Sequence, residues 1–362
     1  MQIGLDIRMI NYSGIGSTVR GLLDNLEKDQ LEKLVLFGEK NYQNSYPIRF
    51  EKVPYPIYTL TQHWGYSKIL KAFNLSFFHM PHFDVPLRYD RPFAATVHDL
   101  IHILFPQYST KFFAKTYAQI LLRHVAGKAR RIFTVSENTK KDLLRLFPKS
   151  KGKIKVIYPG VGDEFKPIDE KMATSTLKKY GLEPGYFLYV GNLRPSKNTL
   201  GLIDAYLKFK RQNPVGPPLI LVGKNFLKPF ARGSFPPGIT HIGETERKDL
   251  PALYSQASLF VFPSYYEGFG LPPIEAMACG APCLVSNAGS LPEVCADSAE
   301  YVNPHVESEL PRKLEMLFKD SSRLKDLKNK GLANARKFSW KKFAAETWGE
   351  YLKIDGEIRG AI

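Results

Sequence analysis

Cysteine is scarce in this chain. Cys279, Cys283 and Cys295 are the only three in 362 residues. An odd, sparse set builds no disulfide framework and fits a reducing compartment. Cys279 and Cys283 stand four apart in an apolar stretch, without a second Cys pair or a His beside them. They are therefore expected as core thiols rather than zinc ligands. No run approaches the ~18 consecutive apolar residues of a membrane span. The opening MQIGLDIRMI lacks the basic start and apolar stretch of a signal peptide, and reads as a first β-strand. The expected location is cytoplasmic, with peripheral attachment to the inner face of the membrane as a second candidate. The dinucleotide fingerprint is incomplete. Gly14-Ile15-Gly16 has no third glycine, which argues against a nicotinamide dehydrogenase. The net charge of +16 comes with no basic recognition helix and no RNA-binding motif, so nucleic acid is not an expected partner.

The length argues for two domains, and 44% hydrophobic with 24% charged residues is a globular balance. Residues 1–165 carry 24 Lys+Arg against 14 Asp+Glu, and the rest 27 against 21. The excess in the first half fits an anionic substrate or an anionic membrane, or is simply a solvated basic surface.

The most informative stretch is 259–280, LFVFPSYYEGFGLPPIEAMACG. An apolar run, Leu259 to Phe262, is long enough for a buried strand. A loop with Gly268 and Gly270 follows. Pro272 and Pro273 lead into a helix at Ile274 to Ala278, which Gly280 can stop. Strand, glycine loop and helix N-terminus form an anion site in open α/β sheets, because first-turn N–H groups lack internal partners. Glu267 and Glu275 bracket that loop. Carboxylates do not bind phosphate but suit hydroxyl groups, so phosphate plus hydroxyls points to a nucleotide sugar.

Around this stretch the chain alternates strand and helix. Residues 2–9 read as strand, 11–16 as a glycine turn and 17–26 as helix. Further strands are expected at 34–37, 77–80, 93–97, 131–135 and 154–158. His79, His82, His98 and Asp99 then fall at the C-terminal ends of parallel strands, where such sheets bind ligands. Residues 109–126 have helical period, with Ser109 or Thr110 as cap. Phe112, Phe113, Tyr117, Ile120 and Leu121 form the expected apolar stripe, opposite Lys111, Lys115 and Arg123. This helix either packs on a sheet or lies on an anionic membrane. The Gly/Pro-rich stretch 159–167 marks a hinge. Beyond it, strands are expected at 186–190, 219–222, 241–243 and 283–285. Residues 191–198, with Arg194 and Lys197, form a cationic loop at a strand end. The pattern predicts two doubly wound parallel sheets facing a cleft.

These residues resemble retaining glycosyltransferase family 4, the group 1 glycosyl transferases of GT-B fold, with a mannosyltransferase-like pattern. EGFGLPPIEAMACGAPCLVSNAGSLPEV at 267–294 carries the resemblance most specifically. SGIG (13–16), FFHMPHFDVP (77–86), TVHDLI (96–101), TVSENTKKDL (134–143), VIYPGVGDEF (156–165), YVGNLRPSKN (189–198) and FSWKKFA (338–344) support it in the family's order. The resemblance implies an α/β fold of two Rossmann-like domains. Residues 1–163 would bind acceptor and 164–338 the nucleotide sugar, while 339–362 would return as a helix to the first domain. It implies transfer of a hexose from GDP-mannose or a UDP-hexose to a glycan, a lipid-linked saccharide or a small acceptor, in surface polysaccharide synthesis. A non-catalytic nucleotide-sugar-binding subunit is the alternative.

By the same resemblance, His98, Glu267 and Lys197 are the catalytic candidates. Glu267 would hold hydroxyls of the transferred sugar, Glu275 the ribose, and Lys197 the diphosphate. Gly14, Gly16, Arg194, Gly243, Gly268, Phe269, Gly270 and Leu271 would complete the donor site. His79, His82 and Asp99 are acceptor-site candidates. Many members carry arginine directly after the glycine of the YVG strand, and this chain has Asn192, with Arg194 two residues on. No Asp-x-Asp metal motif stands out, so neither a metal nor a cofactor is expected.

Overall fold

The computed structural model describes residues 1–39, 46, 48–108, 113–230 and 234–360. The chain divides into two compact units, Met1–Gly160 with Ser339–Ile362, and Val161–Phe338.

The first unit runs β1 (Ile3–Asp6), α1 (Ser13–Leu23), α2 (Lys28–Leu31), β2 (Leu34–Gly38), β3 (Arg49–Lys52), α3 (Gln62–Lys71), β4 (Phe77–Met80), β5 (Phe93–Val97), α4 (Ile101–Leu104), α5 (Ala114–Lys128), β6 (Arg131–Thr134), α6 (Glu137–Leu146) and β7 (Ile154–Val156). Among the described residues its strands lie in the order β3-β2-β1-β4-β5-β6-β7, all parallel. The central strands are apolar and buried on both faces, as parallel strands between helical layers must be. One face packs against α3 and α5 through Tyr66, Leu70, Leu121, Leu122 and Val125. Fully burying such a side chain contributes about 1.5–3 kcal/mol.

The second unit runs α7 (Glu170–Lys179), β8 (Tyr186–Val190), α8 (Thr199–Gln212), β9 (Leu219–Val222), β10 (Ile239–His241), α9 (Leu250–Ser255), β11 (Ala257–Phe262), α10 (Leu271–Ala278), β12 (Cys283–Ser286), α11 (Leu291–Cys295), β13 (Glu300–Val302), α12 (Glu309–Lys319) and α13 (Ser321–Ala335). Its sheet is also parallel, in the order β10-β9-β8-β11-β12-β13. The three cysteines are buried in this unit. The last helix, α14 (Trp340–Arg359), belongs to the first unit and covers the other face of its sheet. Ala344, Trp348, Tyr351 and Ile354 share a cluster with Val19 and Leu22 of α1. A Cβ on Gly21 would lie 2.1 Å from the Trp340 ring, so this helix contact requires glycine.

Several expected bounds move. The helix expected from Ser17 begins at Ser13, so Gly14 and Gly16 sit in its first turn rather than in a glycine loop. A Cβ on Gly16 would meet the Ile10 carbonyl at 2.2 Å. That glycine marks close backbone packing, which in sequence looks like a turn. The short strand expected at 241–243 lies at Ile239–His241. Ser109 and Thr110, the expected helix cap, and the neighbouring Lys111 and Phe112 lie outside the described residues. The stripe on α5 differs from expectation. Phe113 and Ile120 are exposed, while Ala118, Leu121, Leu122, Val125 and Ala126 form the buried face.

Candidate active site

Each sheet reverses its strand order beside its first strand, between β1 and β4 and again between β8 and β11. Diverging loops at such a switch point open a crevice at the strands' C-terminal ends. In the second unit the two loops at that point carry Lys197 and Glu267. Lys197 Nζ lies 2.6 and 2.7 Å from the two Glu267 carboxylate oxygens, with both side chains partly buried. The loops are joined directly as well, since the Tyr265 N–H donates to the Ser196 carbonyl at 3.1 Å.

The Glu267 loop is held from a third side. Ser290 Oγ donates to the Glu267 and Phe269 carbonyls at 3.1 and 2.8 Å. Gly289 comes so close to the Glu267 backbone that a Cβ would lie 2.7 Å from its carbonyl oxygen. Gly270 then turns the chain into α10 with φ 99°, a conformation L-residues resist. Prolines fill the second and third helical positions and have no N–H. The unpaired first-turn donors are thus reduced to Gly270 and Leu271. The helix dipole favours negative charge at this end of α10, and Glu267 stands four residues before its first residue, Leu271. Gly270→Ala should lower the protein's stability by about 1–3 kcal/mol, because the left-handed turn would be strained and the new Cβ would sit 2.6 Å from Leu291. A thermal midpoint equal to wild type would contradict this.

Glu275 lies on the buried side of α10, 8% exposed. Tyr254 Oη donates to it at 3.3 Å, and Arg247 stands 3.7 Å away. Burial pushes its carboxyl up to about 6, against the opposing pull of Arg247. Arg247 is itself anchored on Glu164 at 2.8 Å and lies over the Phe165 ring at 4.9 Å. Sequence reasoning missed Arg247 and Tyr254, which stand in no recognisable motif. Only the apolar neighbours of Glu275 signalled that its charge needed company.

Gly268 and Phe269 are buried beside Glu267, with Phe269 edge-on to Phe338 at 5.5 Å. Gly243 follows β10 with φ 74°, and its carbonyl accepts from the Gly223 N–H at 2.7 Å. Arg194 is exposed, with its guanidinium 4.2 Å over the Phe226 ring. It engages Phe226 rather than joining the Lys197–Glu267 pair.

In the first unit, His98 follows β5. Its Nε2–H donates to the Pro81 carbonyl at 2.9 Å, which leaves Nδ1 as an acceptor. Burial lowers its pKa, against the opposing pull of the Pro81 hydrogen bond and Asp99. Asp99 Oδ1 accepts the Ile101 N–H at 3.0 Å, at the start of α4. The expectation for His79 is corrected. It is a core residue, 4% exposed, with ring nitrogens 2.5 Å from Tyr351 Oη and 2.9 Å from Thr96 Oγ1. Burial pushes its pKa down to about 3. With both nitrogens engaged, it ties α14 to the sheet and presents no edge to an acceptor. His82 is likewise buried and is occupied by protein partners. Its Nδ1 accepts the Asp84 N–H at 3.3 Å.

Two family models match the chain. Glycosyltransferase Family 4 matches residues 12–165, and glycosyl transferases group 1 matches residues 174–334. The chain is 32% identical over 289 residues to O-antigen chain mannosyltransferase B of Escherichia coli, covering 78% of this chain and 75% of that protein. It is 29% identical over 259 residues to O-antigen chain mannosyltransferase RfbU of Salmonella typhimurium, covering 69% and 67%. It is also 34% identical over 242 residues to the serotype-specific mannosyltransferase WbdA of Escherichia coli, but this spans only 29% of that longer protein. Among solved structures, sucrose-phosphate synthase from Thermosynechococcus elongatus aligns over 99% of this chain and 100% of its own, with TM-score 0.79 and 20% identity. Anabaena Alr3699/HepE in complex with UDP and glucose aligns over 98% and 99%, with TM-score 0.78 and 18% identity. The chain belongs to the family 4 glycosyltransferases, and is a glycosyltransferase built from two Rossmann-like α/β units of the GT-B class.

Proposed function

We propose that the protein transfers a mannosyl residue from GDP-mannose, with retention of anomeric configuration, to a glycan acceptor in surface-polysaccharide assembly. The relatives named as O-antigen chain mannosyltransferases support the sugar and the acceptor class. The observation that carries the reading is the Lys197–Glu267 pair at a sheet switch point, beside the N-terminus of α10. In this reading the ribose hydroxyls donate to Glu275. The diphosphate takes Lys197 and the Gly270 and Leu271 N–H groups, and the mannosyl hydroxyls take Glu267.

The bond from the anomeric carbon to the diphosphate breaks while the acceptor oxygen bonds to the same face. The departing phosphate oxygen receives the acceptor's proton. Charge grows on that phosphate as the bond breaks, and fixed cations and N–H dipoles stabilise it more than water would. The step needs no metal in this scheme, so EDTA should leave the rate unchanged. The test is GDP release from GDP-mannose with a mannoside acceptor, followed by NMR of the product's anomeric configuration. An inverted product would overturn retention. Faster turnover of a UDP-hexose would replace the donor.

Peripheral attachment at the cytoplasmic face of an anionic membrane is part of the proposal. No helix among the described residues is long and apolar enough to cross a membrane. Attachment is supported by the exposed apolar side chains Leu60, Trp64, Phe113 and Ile120 and by Arg88 lying 5.1 Å over the Trp64 ring. Such a surface combines apolar burial with attraction to anionic lipid. The protein should sediment with phosphatidylglycerol-containing vesicles at about 0.05 M salt and leave them at about 0.5 M, where screening is short-ranged. No sedimentation at low salt would remove the membrane contact.

A further inference from the structure

Tyr58 has a backbone that needs explaining. Its φ is +58°, a genuine outlier for a bulky residue. Strain of this kind persists only where the surroundings enforce it, and it clusters at ligand sites. The enforcing group is Asp84, which is completely buried and stands just past β4 at the switch point of the first sheet. Asp84 Oδ2 accepts the Tyr58 N–H at 2.8 Å and Gln62 Nε2 at 2.7 Å. Its Oδ1 accepts Tyr117 Oη at 2.7 Å. Gln62 is fixed in turn by Arg8, whose Nη1 donates to Gln62 Oε1 at 3.0 Å, and Arg8 pairs with Asp6 at 2.8 Å. A chain of buried polar groups running from β1 to α5 thus holds one tyrosine in an unfavourable conformation.

Tyr58 is nevertheless 36% exposed. Its ring meets His82 and Tyr117 in edge-type contacts, with centroids 5.6 and 6.5 Å apart. Since His82 Nδ1 accepts from a backbone N–H, its Nε2 carries the proton and points it at Tyr58 Oη, 3.4 Å away. The phenol's own hydrogen is then free to donate outward. Asp99 and the half-exposed Tyr12 lie near enough to interact electrostatically with this phenol. The result is an aromatic face with hydroxyl donors and a carboxylate around it, at the ligand-binding end of a parallel sheet. A pyranose ring has complementary chemistry, since its axial C–H groups pack on an aromatic face and its equatorial hydroxyls reach the polar rim.

We propose that Tyr58 is the platform on which a sugar ring of the acceptor glycan stacks, and that Asp84 is the residue that positions it. This deepens the glycosyltransferase reading and rests on its saccharide acceptor. It also assigns work to a buried network that the donor chemistry does not use.

The probes are methyl α-D-mannopyranoside and a linear α-mannotriose. Binding is read by saturation-transfer NMR, and transfer from GDP-mannose is read as separate KM values for donor and saccharide. Tyr58→Gly removes the ring but suits the left-handed backbone. It should weaken saccharide affinity about tenfold or more, with an unchanged donor KM and a Tm at or above wild type. Tyr58→Phe keeps the face and should stay within about threefold of wild type. Asp84→Asn should raise the saccharide KM and leave the donor KM alone. A Tyr58→Gly protein that binds saccharide like wild type overturns the proposal, and does so more pointedly if its Tm falls, because the role is then structural. Wild-type protein that releases GDP from GDP-mannose yet binds neither saccharide also overturns it, leaving the transferase reading intact. Saccharide binding that is lost with Tyr58→Gly, in a protein that turns over no donor, sustains the platform and removes the transferase reading.

Discussion

Glu267→Ala is expected to lower turnover about 10²–10³-fold, the range seen when one preorganised transition-state contact is removed, while nucleoside diphosphate still binds. The carboxylate grips Lys197 through both oxygens. Its removal takes away the proposed acceptor for the sugar hydroxyls and at the same time releases the ammonium. A freed Lys197 has more charge to offer a diphosphate, so affinity for free GDP should stay equal or tighten. Calorimetric titration with GDP, set beside single-turnover kinetics with GDP-mannose, separates the two effects. A fully active variant would sink the role assigned to Glu267. A variant that loses GDP binding as well would show that the pair builds the nucleotide site rather than the sugar site.

The second large effect belongs to Glu275. A charged hydrogen-bond partner is worth roughly 1.5–3 kcal/mol, so Glu275→Ala should weaken nucleotide binding about 10–100-fold. Unchanged affinity would refute the ribose contact. The pH dependence gives an independent check. The Glu275 carboxyl is pushed up from 4.5 to about 6 by burial, and in the proposed site ribose hydroxyls donate to the ionised form. Nucleotide binding therefore draws the proton off. Affinity should rise with pH through about 6 and level off above it, and Glu275→Gln should flatten that rise.

The stability sign is opposite. A folded carboxyl titrating above its unfolded value holds its proton more tightly in the native state. Glu275 therefore costs stability once ionised, and the cost disappears as pH falls through about 6 towards 4.5. Glu275→Gln should then raise Tm at pH 8 while weakening nucleotide binding, the exchange expected of a functional residue held in an unfavourable place. A Tm that falls at pH 8 would contradict it.

Much of this was legible in the sequence wherever one physical signal dominated. Buried parallel strands are continuous apolar runs, so Phe77–Met80, Tyr186–Val190 and Leu219–Val222 were found with their bounds intact. Ser136, directly after the strand expected at 131–135, caps α6 with a hydroxyl that accepts the Thr139 N–H at 3.0 Å. The edge strand Arg49–Lys52, with sequence RFEK and no buried residue, was missed because an edge strand needs no apolar run. The same holds for Glu300–Val302 at the other sheet's edge. Lys28–Leu31 was missed because its helix rests on a local capping box at Glu27 and Gln30 rather than on an apolar face.

At the candidate site the motif supplied Glu267, Glu275, Lys197 and Gly270, but not what each one touches. The Lys197–Glu267 pairing spans 70 residues and is produced by the strand order alone. His79 shows the reverse failure. Its place at a strand end suggested a ligand, whereas Tyr351, 272 residues away, claims its ring. Tyr58 carries no sequence signal, since a positive φ on tyrosine is imposed by Asp84 and not by its neighbours in the chain.

In the proposed reaction the bond between a hexose and a nucleoside diphosphate breaks beside Lys197 and Glu267. The most direct measurement is nucleoside diphosphate released by the purified protein from GDP-mannose and a panel of UDP-hexoses, with α-mannotriose present. The expected result is release from GDP-mannose that falls about 100-fold or more in Glu267→Ala. Release from none of the donors, or equal release by wild type and Glu267→Ala, would contradict the account.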